Sequence, residues 1–265
     1  MTRLYNYLNE AISHKSLKEK EALKLLESKC KANRKYKTIF RGDGDFNYDE
    51  DGPFFFHFPA GSRAERKSAN TSNHYTLLID KFLDCWKGWP KRGKGIICSS
   101  AYNRANGYAN GWNDVLIMVP EDNTPIAVCP EEDIFDSFKR VGDLGFEYMS
   151  HFNDMLGDIG IDDTESNIRK NLNMSMKKFY DLVKYNAEYD SGLWTLEKKL
   201  KKDMNKYSIL KEWLEYVLDP KANGFKLVTS NKSFPTNREV WFDGSAMGYF
   251  EVHSRVGTYN KSIQG

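Results

Sequence analysis

Asn237-Arg238-Glu239-Val240-Trp241-Phe242 sets one carboxylate at the head of a short apolar run, and Asp243-Gly244-Ser245 follows it. Valine, tryptophan and phenylalanine fit a pleated, half-buried surface, so 240–242 predicts a strand. A second β-like run covers 248–252. Asp-Gly between two such runs is a strong hairpin signal. Glu239 therefore stands at the mouth of a sheet. Taken alone it is an ordinary strand-end carboxylate. Its meaning depends on what the other strand ends bring beside it.

Moving back along the chain, Phe225-Lys226-Leu227-Val228 predicts the preceding strand. The runs 126–130, 115–120 and 95–100 predict three more, the last ending in the hydroxyls of Ser99 and Ser100. Thr38-Ile39-Phe40-Arg41 is a short strand ending in an arginine, stopped by Gly42-Asp43-Gly44-Asp45. The aromatic cluster 54–58 is a strand or a loop pinned to the core. Strands spaced this closely predict a largely antiparallel β core.

Helical spacing takes over elsewhere. Leu4, Leu8, Ala11 and Ile12, continued by Leu17, Leu23, Leu25 and Leu26, predict a helical opening over 3–30. The apolar-rich 75–86 and the shorter 101–110 predict two more helices. The polar run 66–73 before the first of these can cap it, and a helix start so capped suits an anion. From 131 to 220 three apolar stripes follow one another, carried by residues such as Phe138, Phe179 and Trp213. They predict about three or four helices inserted between strands. The fold class is α+β.

Composition bounds the rest. The chain has 265 residues, 40% of them hydrophobic and 29% charged, enough for one large domain or two small ones with a filled core. The net charge is only +2, yet residues 1–37 hold ten Lys/Arg against four Asp/Glu, which leaves the remainder at −4. A basic arm of this kind suits a nucleic acid or another anionic partner, and equally a solvated helix face. Cys30, Cys85, Cys98 and Cys129 show neither C-x-x-C spacing nor a Cys/His cluster, so no metal is expected. Cys98 and Cys129 lie in apolar runs and read as core. No segment reads as a signal peptide or a bilayer span, so the expected compartment is cytoplasmic, with no membrane partner. A protein injected into another cell or packaged in a virus particle would read the same way.

Arg41, Ser99 or Ser100, and Glu239 are all strand-end groups, and only a sheet can bring their ends together. A guanidinium fork suits phosphate oxygens. A hydroxyl can orient a carboxylate or a ribose. A carboxylate can stabilise a cationic ribose carbon as a leaving group departs. In this order the motifs resemble those of the ADP-ribosyltransferases of the arginine–serine–glutamate class. Ile39-Phe40-Arg41-Gly42 is similar to the first-strand arginine motif, and Ile97-Cys98-Ser99-Ser100 to a degenerate Ser-Thr-Ser strand. Ala105-Asn106-Gly107-Tyr108 and the 115–120 run are similar to the family's next helix and strand, and Asn237-Arg238-Glu239-Val240-Trp241 to its Glu-x-Glu strand.

The resemblance covers roughly 38–130 and 224–253. It implies a split antiparallel β-sandwich core over 37–265, with 1–36 as an N-terminal helical basic arm and about 131–220 as a helical insert. It implies NAD⁺ as substrate, bound through Arg41, Gly42 and an aromatic such as Tyr108 or Tyr102. Ser99 or Ser100 would brace the catalytic Glu239, and nicotinamide would leave as ADP-ribose passes to a macromolecule. Two departures matter. Cys98 blurs which hydroxyl braces Glu239. Asn237 stands where arginine-modifying members carry their first glutamate; on a strand it would share a face with Glu239 and position the acceptor. A neutral amide suits a base edge better than a guanidinium, which favours a nucleic-acid acceptor over a protein one. A toxin or phage-type role would add an antitoxin or inhibitor protein as partner. The competing readings are NAD⁺ hydrolysis without an acceptor, and a non-catalytic protein that binds an anion or nucleic acid.

Overall fold

The computed structural model describes residues 14–42, 55–61, 72–109, 115–232 and 234–250. Its strands are β1 Lys15–Leu17, β2 Phe40–Gly42, β3 Phe55–Phe58, β4 Ile96–Ser99, β5 Val115–Pro120, β6 Ile126–Val128, β7 Lys226–Val228, β8 Glu239–Phe242 and β9 Ala246–Phe250. The helices are α1 Glu19–Lys29, α2 His74–Leu77, α3 Tyr102–Asn106, α4 Lys139–Gly142, α5 Met149–Asp158, α6 Glu165–Asn171, α7 Met176–Ala187, α8 Trp194–Asp203 and α9 Leu210–Val217. The protein is α+β, and it divides into two compact units.

The first unit holds the described residues before 71, those of 89–132 and those from 226 onward. All nine described strands lie in it as one sheet, in the order β1-β3-β9-β5-β2-β4-β8-β6-β7. Every pairing is antiparallel. Alternation along the strands sorts the side chains onto two faces. One face carries Ile39, Phe58, Cys98, Leu116, Met118, Val128, Val240 and Phe242 in a single buried cluster. The other carries Phe55, Ile117, Val119, Met247 and Tyr249, with Phe40 packed against them. Helix α1 covers this second face through Ala22 and Leu26, both at 0% exposure.

Three expectations change here. The helical opening is interrupted, because Lys15, Ser16 and Leu17 pair with His57, Phe56 and Phe55. This pairing gives the backbone of β1 a ladder and turns Leu17 inward; the part of the opening before residue 14 lies outside the described residues. The helix expected over 75–86 breaks into α2, a wide π turn over Leu78–Phe82 and a 3₁₀ turn over Asp84–Trp86. Leu83 between them is extended, at φ −92° and ψ 121°. The Asp-Gly hairpin does not form: β8 pairs with β4 and β6, while β9 pairs with β3 and β5. Asp243 instead accepts the Lys91 amide at 2.8 Å. Gly244 lies so close to Thr124 that a Cβ there would sit 2.6 Å from its methyl group.

The second unit joins the described residues of 72–88 to 133–225, so it draws on two stretches of chain. Its core is helical and aromatic. Trp86 and Phe138 meet Phe225 at ring distances of 5.3 and 5.1 Å, and Phe179 meets Trp213 at 5.3 Å. Asp84 and Lys211 pair at 2.6 Å within it, and Asn73 binds Asp163 through its backbone amide at 2.9 Å. Asn73 makes no side-chain cap of α2.

Candidate active site

The strand order places the three motif strands side by side, β2-β4-β8. Phe40 stands opposite Ser99, and Ser99 opposite Glu239. Directly opposed residues share a face. Phe40, Ser99 and Glu239 therefore form a row across three strands, with Ile97 and Trp241 paired in the next layer of the same face. Tyr102, 38% exposed at the start of α3, sets its ring edge-on to Phe40 at 5.8 Å.

Glu239 is 8% exposed, and its Oε1 accepts a hydrogen bond from Nη2 of Arg92 at 2.9 Å. Arg92 is itself 5% exposed, so this is a buried ion pair. The turn that carries Arg92 is held by alternate residues of β8 and its extension. Trp241 Nε1 donates to the Pro90 carbonyl at 2.9 Å, and Asp243 accepts from Lys91 at 2.8 Å. Gly95 closes the turn, with the Lys91 carbonyl 2.9 Å from where a Cβ would be. Residues 239, 241 and 243 thus grip 90–92 along one side. In sequence, Arg92 is one of several basic residues in a turn. Only the two-residue spacing of Glu239, Trp241 and Asp243, set against the Trp89-Pro90 stop, hints at a docked turn.

The two serines divide. Ser99 lies across from Glu239, and its Oγ accepts from the Ala101 amide at 3.1 Å. Ser100 Oγ donates to the Pro235 carbonyl at 2.7 Å and accepts from the Arg238 amide at 2.8 Å. Ser100 therefore fastens the approach to β8, while Ser99 is the hydroxyl beside the carboxylate.

Arg41 turns the other way. Its partner Leu116 belongs to the first cluster, on the face opposite Phe40, Ser99 and Glu239. Arg41 is 1% exposed and donates from Nη1 to the Ile97 carbonyl at 2.8 Å. Gly42 serves packing. A Cβ on it would lie 2.0 Å from the Ala105 carbonyl and 2.8 Å from the Ala109 amide, so only glycine lets this turn approach β2. Tyr108 lies under the Arg104 guanidinium at 5.8 Å.

Asn237 is not on a strand. Its φ is +63°, in the left-handed region, and β8 begins only at Glu239. The two-residue rule that would put Asn237 on the face of Glu239 holds for extended chain and fails here. Its amide donates to Oε1 of Glu132, a carboxylate from the far end of the β6 connection. No protein-family model, curated protein or solved structure matches this chain. The reading of the site rests on its own geometry. Among the described residues no group of His, Cys, Asp and Glu gathers as a metal site, and no helix is long and apolar enough to cross a membrane.

Buried ion pairs also occur as plain struts. The chemistry available to this one derives from its position, with a hydroxyl across the ladder and an exposed aromatic two places along. That set can hold a ribose hydroxyl, oppose positive charge on its carbon and cover a planar ring.

Proposed function

We propose that the chain is a mono-ADP-ribosyltransferase with a split antiparallel β-sandwich core, moving ADP-ribose from NAD⁺ to a nucleic acid. The observation that carries this reading is Ser99 opposite Glu239 on adjacent strands, with the β2 arginine motif on the next strand. Three short motifs far apart in sequence would have no reason to lie on neighbouring strands in this order by composition alone.

On this reading the site takes the nicotinamide-ribose half of NAD⁺. Glu239 and Ser99 take the ribose, and Tyr102 is the aromatic for the nicotinamide ring. Arg41, expected at the pyrophosphate, is buried on the opposite side of the sheet and braces the Ile97 carbonyl in the strand of Ser99, so it supports the strand and leaves the pyrophosphate contact unassigned. In the reaction the ribose–nicotinamide C–N bond breaks and nicotinamide leaves with the bonding pair. The Glu239 carboxylate opposes the charge on the oxocarbenium-like carbon. An acceptor nucleophile then bonds to that carbon and gives up its proton. Arg92 fixes the Glu239 carboxylate through its hydrogen bond at 2.9 Å.

A second reading, transfer to a protein side chain, is favoured by one observation. Glu132 lies on the Asn237 amide, so a carboxylate stands beside the approach to β8 although Asn237 itself is neutral. Incubation of the protein with NAD⁺ labelled in the adenylate, in lysate split between nuclease and protease, tests both. Label lost to nuclease is expected. Label lost to protease selects the second reading. Free nicotinamide without label indicates hydrolysis, and neither product leaves Arg92–Glu239 as a structural strut.

A further inference from the structure

The helical unit carries a surface that the catalytic reading does not use. Tyr185, Tyr189 and Trp194 are 62%, 78% and 57% exposed, the three most exposed large hydrophobic side chains among the described residues. Tyr185 and Tyr189 meet at a ring distance of 5.6 Å. Trp194 spends its indole N–H on the Ala187 carbonyl at 3.0 Å, which fixes the ring. Tyr180 on α7 donates to Glu197 on α8 at 2.8 Å and ties the two helices together.

Helix α8 buries Leu196 and Leu200 and turns Lys198, Lys201 and Lys202 outward beside Trp194. These three lysines make no ion pair or hydrogen bond in the described structure, whereas Lys206 is paired with Asp203. The two acids of this helix, Glu197 and Asp203, are half-buried and held by Tyr180 and Lys206. The face therefore carries fixed aromatic rings with the α8 lysines on one side and the exposed acids Asp181, Glu188 and Asp190 on the other.

We infer that the α7–α8 face binds single-stranded nucleic acid, with bases stacked on Tyr185, Tyr189 and Trp194 and phosphates on the lysines. Rings supply stacking to any base, and lysines follow the backbone. A membrane-binding helix lays a continuous apolar stripe of residues such as Trp, Phe and Leu into the acyl boundary. The apolar stripe of α8, Leu196 and Leu200, is buried within the helical unit, and the large hydrophobics that unit leaves exposed are Tyr and Trp, whose rings stack on bases.

This inference deepens the acceptor assignment above and rests on that reading for its biological role. The binding is read without NAD⁺, so it stands or falls separately from nicotinamide release. The experiment is anisotropy of a fluorescein-labelled oligo(dT) of about 16 nucleotides with the full chain, across a salt series. Trp194→Ala should weaken binding roughly tenfold, and Trp194→Phe should keep most of it. Tyr189→Ala provides the same reading at a site whose side chain makes no hydrogen bond. Lys198→Gln with Lys202→Gln should flatten the log–log salt slope by about 1.4. Absence of binding overturns the inference, as does binding indifferent to these variants. Trp194-dependent binding to phosphatidylserine vesicles with none to the oligonucleotide overturns it in favour of a membrane surface.

Discussion

Glu239 and Arg92 concentrate the energetic risk of the molecule at one contact. Each alone would be a charge in a place with little water, and the pair compensates both at 2.9 Å. Arg92→Ala leaves the carboxylate buried without its partner and should destabilise the fold by about 3–5 kcal/mol, read as a shift in urea midpoint. Glu239→Gln keeps an oxygen for Arg92 and loses only charge. The buried Arg92 guanidinium then lacks its counter-charge, so this variant should also lose stability in the same titration, though less than Arg92→Ala, while nicotinamide release falls by about 10²–10³. A large loss of stability with unchanged turnover would make the pair a strut. Cys30 shows burial acting in the other direction. Loss of solvation, with Glu121 and Asp122 nearby, pushes its thiol up to about 12, so it is protonated at neutral pH and unreactive in the folded protein.

At the scale of elements, Gly42 shows how closely the α3 turn packs on β2. The backbone of 105–109 lies across it, with no room for a methyl group. Gly42→Ala should cost at least the ~1–3 kcal/mol of overpacking, visible as a lower Tm, and should shift Tyr102 and Phe40 with α3. The strands themselves are legible in the sequence. Runs such as 115–120 and 240–242 are apolar on both faces, and that pattern survives in the structure. Their partnership is not legible. Asp243-Gly244 has hairpin chemistry, yet both residues serve long-range contacts, to Lys91 and Thr124. Arg92 is hidden for the same reason, since burial of one basic residue among several is decided by what docks on it. Asn237 misleads because a residue beside a strand reads as part of it, and a left-handed φ leaves no mark in an Asn-Arg pair. Strand adjacency does bring the three motifs together, but Phe40 and not the expected Arg41 shares the face of Ser99 and Glu239, because the strand register decides which residue of a motif points that way.

For the molecule as a whole, charge pairs answer to pH. In the helical unit, hydrogen bonds from Lys211 and then Lys87 hold Asp84 down at about 2. Its folded value lies below the unfolded one of about 3.9, so the contribution is present above the unfolded value and is lost as pH falls through the folded one. The stability difference between wild type and Lys211→Met should therefore be constant near neutrality and close between about pH 4 and pH 2, followed by circular dichroism. A gap that persists at pH 2 would mean Lys211 acts through packing of its stem.

The path from β8 to β9 has a geometric consequence for the sheet. Alternating antiparallel pairings through β4, β2 and β5 make β8 and β9 run in the same direction. In a flat sheet they would stand about 19 Å apart, and parallel neighbours need a crossover of about a dozen residues. Only residues 243–245 join them, and Phe242 to Ala246 can reach about 14 Å at full stretch. The sheet must therefore bend over on itself, and 243–245 is a corner where one strand passes from one layer into the next. The buried cluster agrees, since it takes side chains from β3 and β6, too far apart to meet across a flat surface. A corner without slack makes the strand of Glu239 and the strand of Tyr249 one mechanical piece, so shortening it by even one residue would pull the two layers out of register together.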